Sequence, residues 1–379
     1  MQALEACLQQ ATTDGTVPGA VVCVGYRGEL VWQQAYGAAE VTPTSRPMQC
    51  DTLFDIASLT KVVATTALVL WAQHERVCGL DDTVVRCYPQ THGTPLGTTT
   101  VRQLLAHSGG LGSWCALYET LWPDGPGLGA QTAHQPAERA GRPRSQVIQA
   151  ILQQPLAYTP GTQALYSDLG FILLADMVET CYQQPLTRLF DERVGQPLGL
   201  RSTGYRPLDG PAHSQEAPAA YAATERCPWR QRVLVGEVHD ENAWAMGGVA
   251  GHAGLFATAA DLWRFAQAWL DSAAGKRDWL PPALLRASAQ RQPTPPGTTR
   301  TLGWDTPAPG HSSSGDFFSA QSIGHLGFTG CSLWIDPLQQ VIVVLCTNRV
   351  HPTRHNTGIR RLRPAVHNHI MRALGVATS

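Results

Sequence analysis

Lysine is what this 379-residue sequence has least of: among 28 basic residues only Lys61 and Lys276 are lysines. Charge imbalance is also missing. A formal net charge of −1 gives no reason to expect nucleic acid or an anionic membrane surface as a partner. No stretch reaches the roughly 18 apolar residues that a membrane span needs. The ten cysteines are scattered singly with no C-x-x-C, which excludes a paired-cysteine metal site and reads as reduced core thiols. The opening "MQALEACLQQATTDGTVPG" lacks a basic n-region and an apolar h-region, so the expected location is cytoplasmic, or periplasmic or secreted if a leader has been trimmed. Arg360, Arg361 and Arg363 form the one basic knot and are expected to decorate a C-terminal helix.

What is present is a chain with 43% hydrophobic residues, long enough for two structural units. "GAVVCVGYRGELVWQQAYG", residues 19–37, reads as two strands split by a hairpin turn. Residues 55–75 are apolar and free of Gly and Pro, which predicts a buried helix. Helical segments follow through "TAADLWRFAQAWLDSA". After about residue 300, "RTLGWDT", "QSIGHLGF", "CSLWIDP" and "QQVIVVLCTNR" read as strands, closed by a helix over 356–374. If both strand sets share a sheet, the expected fold is α/β (α+β): an antiparallel sheet flanked by terminal helices, with an inserted helical domain. The predicted division is 1–57 plus 265–379 for the sheet domain and 58–264 for the helical one. Two long Pro-, Gly- and Ala-rich loops, 119–145 and 205–232, are expected to hold substrate specificity.

Three places carry candidate chemistry. Ser58 and Lys61 lie three apart, so on a helix they share a face. A lysine among Val and Ala loses hydration, which disfavours its charged form, and a neutral amine beside a hydroxyl can make it a nucleophile. Ser58 at a helix start also offers its own backbone N–H to an oxyanion. Chance alone gives an S-x-x-K here with odds of about one in ten, and a lysine in this place can instead snorkel to water. Tyr166 in "ALYSDLGFILL" sits where Ser167 or Asp168 would cap a helix; as a functional group its phenol, near a cation, would ionise more easily and shuttle protons. His325 in "IGHLGFTG" lies in a Gly-flanked strand where backbone can approach a ligand, or is a plain structural histidine of an edge strand.

Other clusters are weaker. Ser108 in "AHSGG" lacks the preceding strand of a hydrolase elbow. In "VHDEN" adjacent residues cannot face one metal, which leaves His239 an ordering role or, in the sharper reading, a substrate contact. His351 and His355 are separated by Pro352 and do not form a helical metal pair. "GGVAGHAG" does not match a phosphate-binding loop. Trp114, Trp122, Trp229 and Trp244 can wall an apolar cleft or simply pack a core.

Taken in order, Ser58-Leu59-Thr60-Lys61, Tyr166-Ser167-Asp168 and His325-Leu326-Gly327 resemble the S-x-x-K, Y-x-N and K-T-G or H-x-G signature of the serine β-lactamase and penicillin-binding-protein superfamily. The branch is that of class C β-lactamases, D-amino-acid peptidases and family VIII esterases, and the resemblance runs along nearly the whole chain. It implies the β-lactamase/DD-peptidase-like fold and a metal-free, cofactor-free serine hydrolase of small ester, amide or peptide substrates. Ser58 would be the nucleophile, Lys61 its activator and Tyr166 the acid/base partner, with His325 in the third-motif position. The N–H groups of Ser58 and Phe328 would form the oxyanion hole, with Asp168 and Gly327 binding substrate. Asp168 departs from the usual Asn and His325 from the usual Lys. Both changes favour an esterase or small-peptide or muropeptide amidase over an efficient β-lactamase, with a weakly catalytic penicillin-binding or sensing module, or a true class C-like β-lactamase, as the alternative.

Overall fold

The structure is a computed structural model that describes residues 1–121, 144–209 and 220–376. Six strands make the main sheet: β1 (Gly19–Tyr26), β2 (Glu29–Glu40), β3 (Arg46–Pro47), β4 (Ile323–Leu326), β5 (Ser332–Asp336) and β6 (Val341–Thr347). All neighbours are antiparallel, in the order β3-β2-β1-β6-β5-β4. The N-terminal strands thus meet the C-terminal ones at β1–β6, with Val22 opposite Leu345. The "YRGE" hairpin turns on Arg27 and Gly28 at φ 52° and 90°, the positive pair that a tight two-residue turn demands.

Helices cover both faces, so β1 is buried along nearly its whole length rather than alternating with water. On the outer face α1 (Gln2–Thr13) contributes Leu4 and Leu8, packed with Val22, Val343 and Leu345. The inner face carries Val21, Cys23, Leu333 and Val344 against the helical part of the chain. There α2 (Ala67–His74) continues a helical run that begins as a 3₁₀ turn at Ala57–Leu59 and passes through a π-helical turn at Lys61–Thr66. The expected buried helix is therefore present with a widened turn at its lysine, an irregularity common at functional sites. Next come α3 (Asp168–Tyr182) and α4 (Ala259–Ala273); the latter lays Leu262, Phe265 and Trp269 on the sheet. Residue 265, the expected domain boundary, falls inside α4. The closing α5 (Ile359–Ala373) returns to the outer face through Ile359, Leu362, Val366 and Ile370, spaced three and four apart as a buried helical stripe requires.

One expected strand is absent. "RTLGWDT" forms only single bridges, Arg300 to Asp305 and Asp305 to Gly324. Gly303 breaks the run at φ 84°, pressed so closely on Thr66 that a Cβ would sit 2.0 Å from its Oγ1. Of the two expected long loops, 119–145 lies mostly outside the described residues, at 122–143, as does Trp122. The other, 205–232, lies outside them only at 210–219, and its later part is not loop but a strand, Ala223–Cys227, paired antiparallel with Arg232–Val235.

Candidate active site

Ser58 follows Ala57, a non-glycine residue held at φ 46°. Backbone strain of this kind persists only where neighbours enforce it. The enforcing group is Asp55, fully buried, whose carboxylate accepts from the N–H of Ala57 at 2.8 Å and of His239 at 2.6 Å. Burial raises the Asp55 carboxyl above its ordinary value. Asp55 was not singled out by the sequence; its position two residues before Ala57 in "FDIASLTK" was the available signal.

Lys61 is fully buried. Its Nζ lies 3.0 Å from Ser58 Oγ, 3.1 Å from the His252 carbonyl and 2.7 Å from Asp168 Oδ1. It also sits 4.9 Å from the centre of the Tyr166 ring. The structure reverses two sequence-based expectations here. Burial works against the Lys61 ammonium, but Asp168 and then Tyr166 outweigh it and hold the pKa above the usual lysine value. Burial likewise raises the Tyr166 phenol; Lys61 opposes this without overcoming it, and Asp168 reinforces it. The resting cluster is therefore an ammonium paired with a carboxylate, beside a neutral phenol. The apolar helix did not reveal this because the deciding contact crosses from α3.

The Tyr166–Asp168 segment is fixed at every residue. Ser113 Oγ donates to the Tyr166 carbonyl at 2.5 Å, and His107 Nδ1 accepts from the Ser167 N–H at 3.0 Å. Ser167 caps α3 by accepting from Gly170 N–H at 3.2 Å, which puts Asp168 in the first turn, facing Lys61. The His107 ring packs 4.6 Å from that of Tyr166, and burial keeps His107 neutral. Ser108, next to it, is buried and donates to the Gln103 carbonyl at 3.4 Å. "GGVAGHAG" is a clamp on the lysine helix: Gly251 accepts from Thr65 Oγ1 at 2.6 Å and His252 from Lys61.

His325 comes from β4. Its Nδ1 pairs with the Leu326 carbonyl at 2.9 Å, an arrangement in which Nδ1 carries the proton, while Nε2 is buried without a hydrogen-bond partner among the described residues. Burial, with Lys61 and Arg300 nearby, holds its pKa well below the ordinary histidine value. Gly327 follows where only glycine fits, since a Cβ would lie 2.5 Å from the Ile56 carbonyl. Phe328 is 48% exposed and packs against the His239 ring at 5.6 Å and the Arg349 guanidinium at 4.5 Å.

Ser58, Tyr166, His325, Gly327 and Phe328 line one cleft of about 450 Å³, with Lys61 and Asp168 behind Ser58. Trp114 and His239 do not line it. Trp114 is exposed and packs against Tyr118, whereas His239 is buried behind Phe328 with its Nε2 3.1 Å from Glu225. Arg300, Arg349, Arg354, Arg360 and Arg363 do line it, and sequence reasoning missed them. Arg360 and Arg363 thus correct the expectation that their knot merely decorates a helix. Arg354 pairs with Glu225 and Glu241, and Arg300 with Asp305. Arg363 donates to the Gly327 and Cys331 carbonyls at 2.8 and 2.9 Å, and burial pushes it down to about 10. Among the described residues Arg349, Arg360 and Arg363 have no carboxylate partner. The spacing of these arginines, 300 to 363, hides them from a local motif search. No group of residues suited to a metal ion occurs among those described, and no helix there is long and apolar enough to cross a membrane.

A serine, a lysine and a tyrosine converging in a cleft beside a glycine-flanked strand, on this mixed α/β fold, define a serine hydrolase acting on ester or amide bonds. The family profile described as Beta-lactamase matches residues 4–367, and the chain belongs to that family. It is 31% identical over 352 residues to a putative D-alanyl-D-alanine carboxypeptidase of Escherichia coli (strain K12), covering 85% of this chain and 76% of that protein. It is 30% identical over 366 residues to an N-acetylmuramyl-L-alanine amidase of Bacillus subtilis (strain 168), covering 88% and 78%. Two solved structures share the fold. EstCE1, a hydrolase with promiscuous acyltransferase activity, has a TM-score of 0.72 at 24% identity, covering 97% of this chain and 98% of that one. The octameric penicillin-binding protein homologue from Pyrococcus abyssi has 0.73 at 16%, covering 99% and 77%.

Proposed function

We propose that the protein hydrolyses small amide or ester substrates that carry a negative charge, through an acyl ester on Ser58. The observation that carries this is the contact of Ser58 Oγ with the buried Lys61 Nζ at the floor of a cleft whose other wall is arginine. Ser58 attacks the carbonyl, Lys61 passes on its proton, and Tyr166 supplies an acid/base hydroxyl. The N–H groups of Ser58 and Phe328 hold the oxyanion, and His325 Nε2 accepts a hydrogen bond from the substrate. Water then releases the acyl group.

The frame of this reading is the two-part division, 1–57 with 265–379 and 58–264. Ser58, Lys61, Tyr166 and Asp168 come from the second part; His325, Phe328 and the arginines come from the first. His325 removes a fixed charge from the third motif, and Arg349, Arg360 and Arg363 restore positive charge to the cleft. That favours a peptide or muropeptide fragment with a carboxylate over a neutral ester, and agrees with the names of the amidase and carboxypeptidase relatives. Asp168 beside Lys61 argues against efficient β-lactamase action, because it sets a carboxylate where an anionic ligand's side-chain amide would bind. We also propose a reducing, cytoplasmic location, supported by ten free cysteines that include Cys87 and Cys181 unbonded at 3.8 Å.

Labelling with a fluorophosphonate and peptide mapping tests the assignment. The expected adduct is on Ser58, and an adduct on Ser108 or any other serine overturns it. Assays with a p-nitroanilide of a D-amino acid and with nitrocefin run alongside. Stoichiometric labelling with no turnover of either would turn the reading to a binding module.

A further inference from the structure

Asp168 touches the proposed nucleophile only through Lys61. An ammonium has three N–H donors and no acceptor. Those of Lys61 face Ser58 Oγ at 3.0 Å, the His252 carbonyl at 3.1 Å and Asp168 Oδ1 at 2.7 Å. As an ammonium, donating to Ser58 Oγ and the His252 carbonyl and ion-paired with Asp168, Nζ has no lone pair for the Ser58 proton unless it gives one up. The His252 carbonyl cannot take it. Tyr166 carries its own proton, and burial with the Lys61 and Arg300 charges holds His107 and His325 well below the ordinary histidine value, which opposes their taking one. Arg300, 5.4 Å from the Tyr166 ring centre, the ammonium itself and, on the His325 side, Arg363 are the cations facing the cluster among the described residues. Asp168 is the carboxylate in contact with the amine.

We infer that Asp168 is the terminal proton acceptor of acylation, acting through Lys61 as a positioning residue for the Ser58 reaction; this rests on the acyl-Ser58 reading above. As Ser58 Oγ bonds to the carbonyl carbon, the carbonyl π pair moves to oxygen. The Oγ proton passes to Nζ while one Nζ proton passes to Asp168 Oδ1. Lys61 is an ammonium before and after, Asp168 becomes neutral, and the negative charge resides on the oxyanion. When the carbonyl re-forms, the bond to the leaving group breaks, and the proton returns from Oδ1 through Nζ to the leaving atom. Water repeats the sequence in deacylation. An Asn at 168 can hold a substrate amide but cannot accept this proton, so the change at this position alters which group is the base.

The test is the pH dependence of kcat/KM for p-nitrophenyl acetate in the wild type, Asp168→Asn and Asp168→Glu, with Ser58→Ala as reference. The relay predicts that Asp168→Asn loses on the order of 10²-fold at neutral pH. It also predicts that the acid limb of this variant moves up by about one unit or more, because Lys61 must now lose its own proton first. Asp168→Glu should recover part of the rate and keep the wild-type limb. If instead a free Lys61 amine is the base, removing the carboxylate makes that amine easier to form. The limb would then move to lower pH and the neutral rate would rise, and either result overturns the relay. Should Asp168→Asn not fold, the proton inventory of the wild type in H₂O/D₂O mixtures decides: a curved plot reports two protons in flight, and a straight one overturns the proposal. Hydrolysis surviving in Ser58→Ala overturns the nucleophile and the relay with it. A Ser58-dependent rate with an unmoved limb overturns the relay alone.

Discussion

On the helical side of the cleft, Lys61 is fully buried and its N–H donors meet Asp168, Ser58 and a backbone carbonyl. On the opposite side Arg349 and Arg363 are nearly as buried, yet among the described residues they meet carbonyls and the Phe328 ring and no carboxylate. A buried charge costs several kcal/mol unless it is paired. The first wall has paired its cation within the chain; on the second, Arg300 and Arg354 have carboxylate partners, whereas Arg349 and Arg363 have none among the described residues, and on the proposed reading an anion in the cleft would pair them. The difference separates chemistry from recognition. A compensated cluster can move a proton without changing its net charge, and an uncompensated one gains most when an anion arrives.

The largest effect that would break this comparison lies on the helical wall. Lys61→Ala should cost about 10⁴-fold in acylation of Ser58 while the far-UV circular dichroism stays native, as for loss of a general base joined to a nucleophile. Near wild-type acylation would remove Lys61 from the chemistry.

The second effect lies beneath the basic wall, in α5. His367 is buried against Ser313 and Phe318, and burial holds its pKa at about 4. Between the unfolded value of about 6.5 and that value the unfolded chain binds a proton that the native chain refuses. Stability is therefore full above pH 6.5 and falls as pH drops toward 4, by about 3 kcal/mol from this residue. Urea denaturation at pH 7.5 and 4.5 should show His367→Gln losing correspondingly less on acidification. Equal losses in both proteins would mean that the histidine is charged in the fold.

A smaller effect sharpens the recognition side. Arg360 is exposed and lines the cleft, so Arg360→Glu should lower kcat/KM for a carboxylate-bearing ester by roughly tenfold and leave a neutral ester unchanged, with the difference fading in salt. Equal changes for both esters would remove charge from the reading. The smallest expected effect is at Trp114, outside the cleft lining; Trp114→Ala should alter stability by no more than about 0.5 kcal/mol and leave kcat unchanged.

The same contrast explains what the sequence could tell. Ser58 with Lys61, and Tyr166 with its helix cap, are local patterns, and their chain order points to one site. The protonation of Lys61 was misread because its apolar neighbours are local while the deciding carboxylate is 107 positions away. The basic wall draws Arg300 from a loop, Arg349 from the end of β6 and Arg363 from α5, so no window of sequence contains it. The sheet was legible from β-rich runs at both ends of the chain. Residues 300–306 were misread because Gly303 breaks the strand for packing against Thr66, which propensity does not register.

The most direct test of the acyl-Ser58 account is rapid-quench mass spectrometry of the wild-type enzyme with a p-nitrophenyl ester, read against p-nitrophenol release. The account predicts a burst approaching one equivalent and a transient acyl mass on the peptide containing Ser58. Turnover with no covalent species, or an acyl group on another residue, would contradict it.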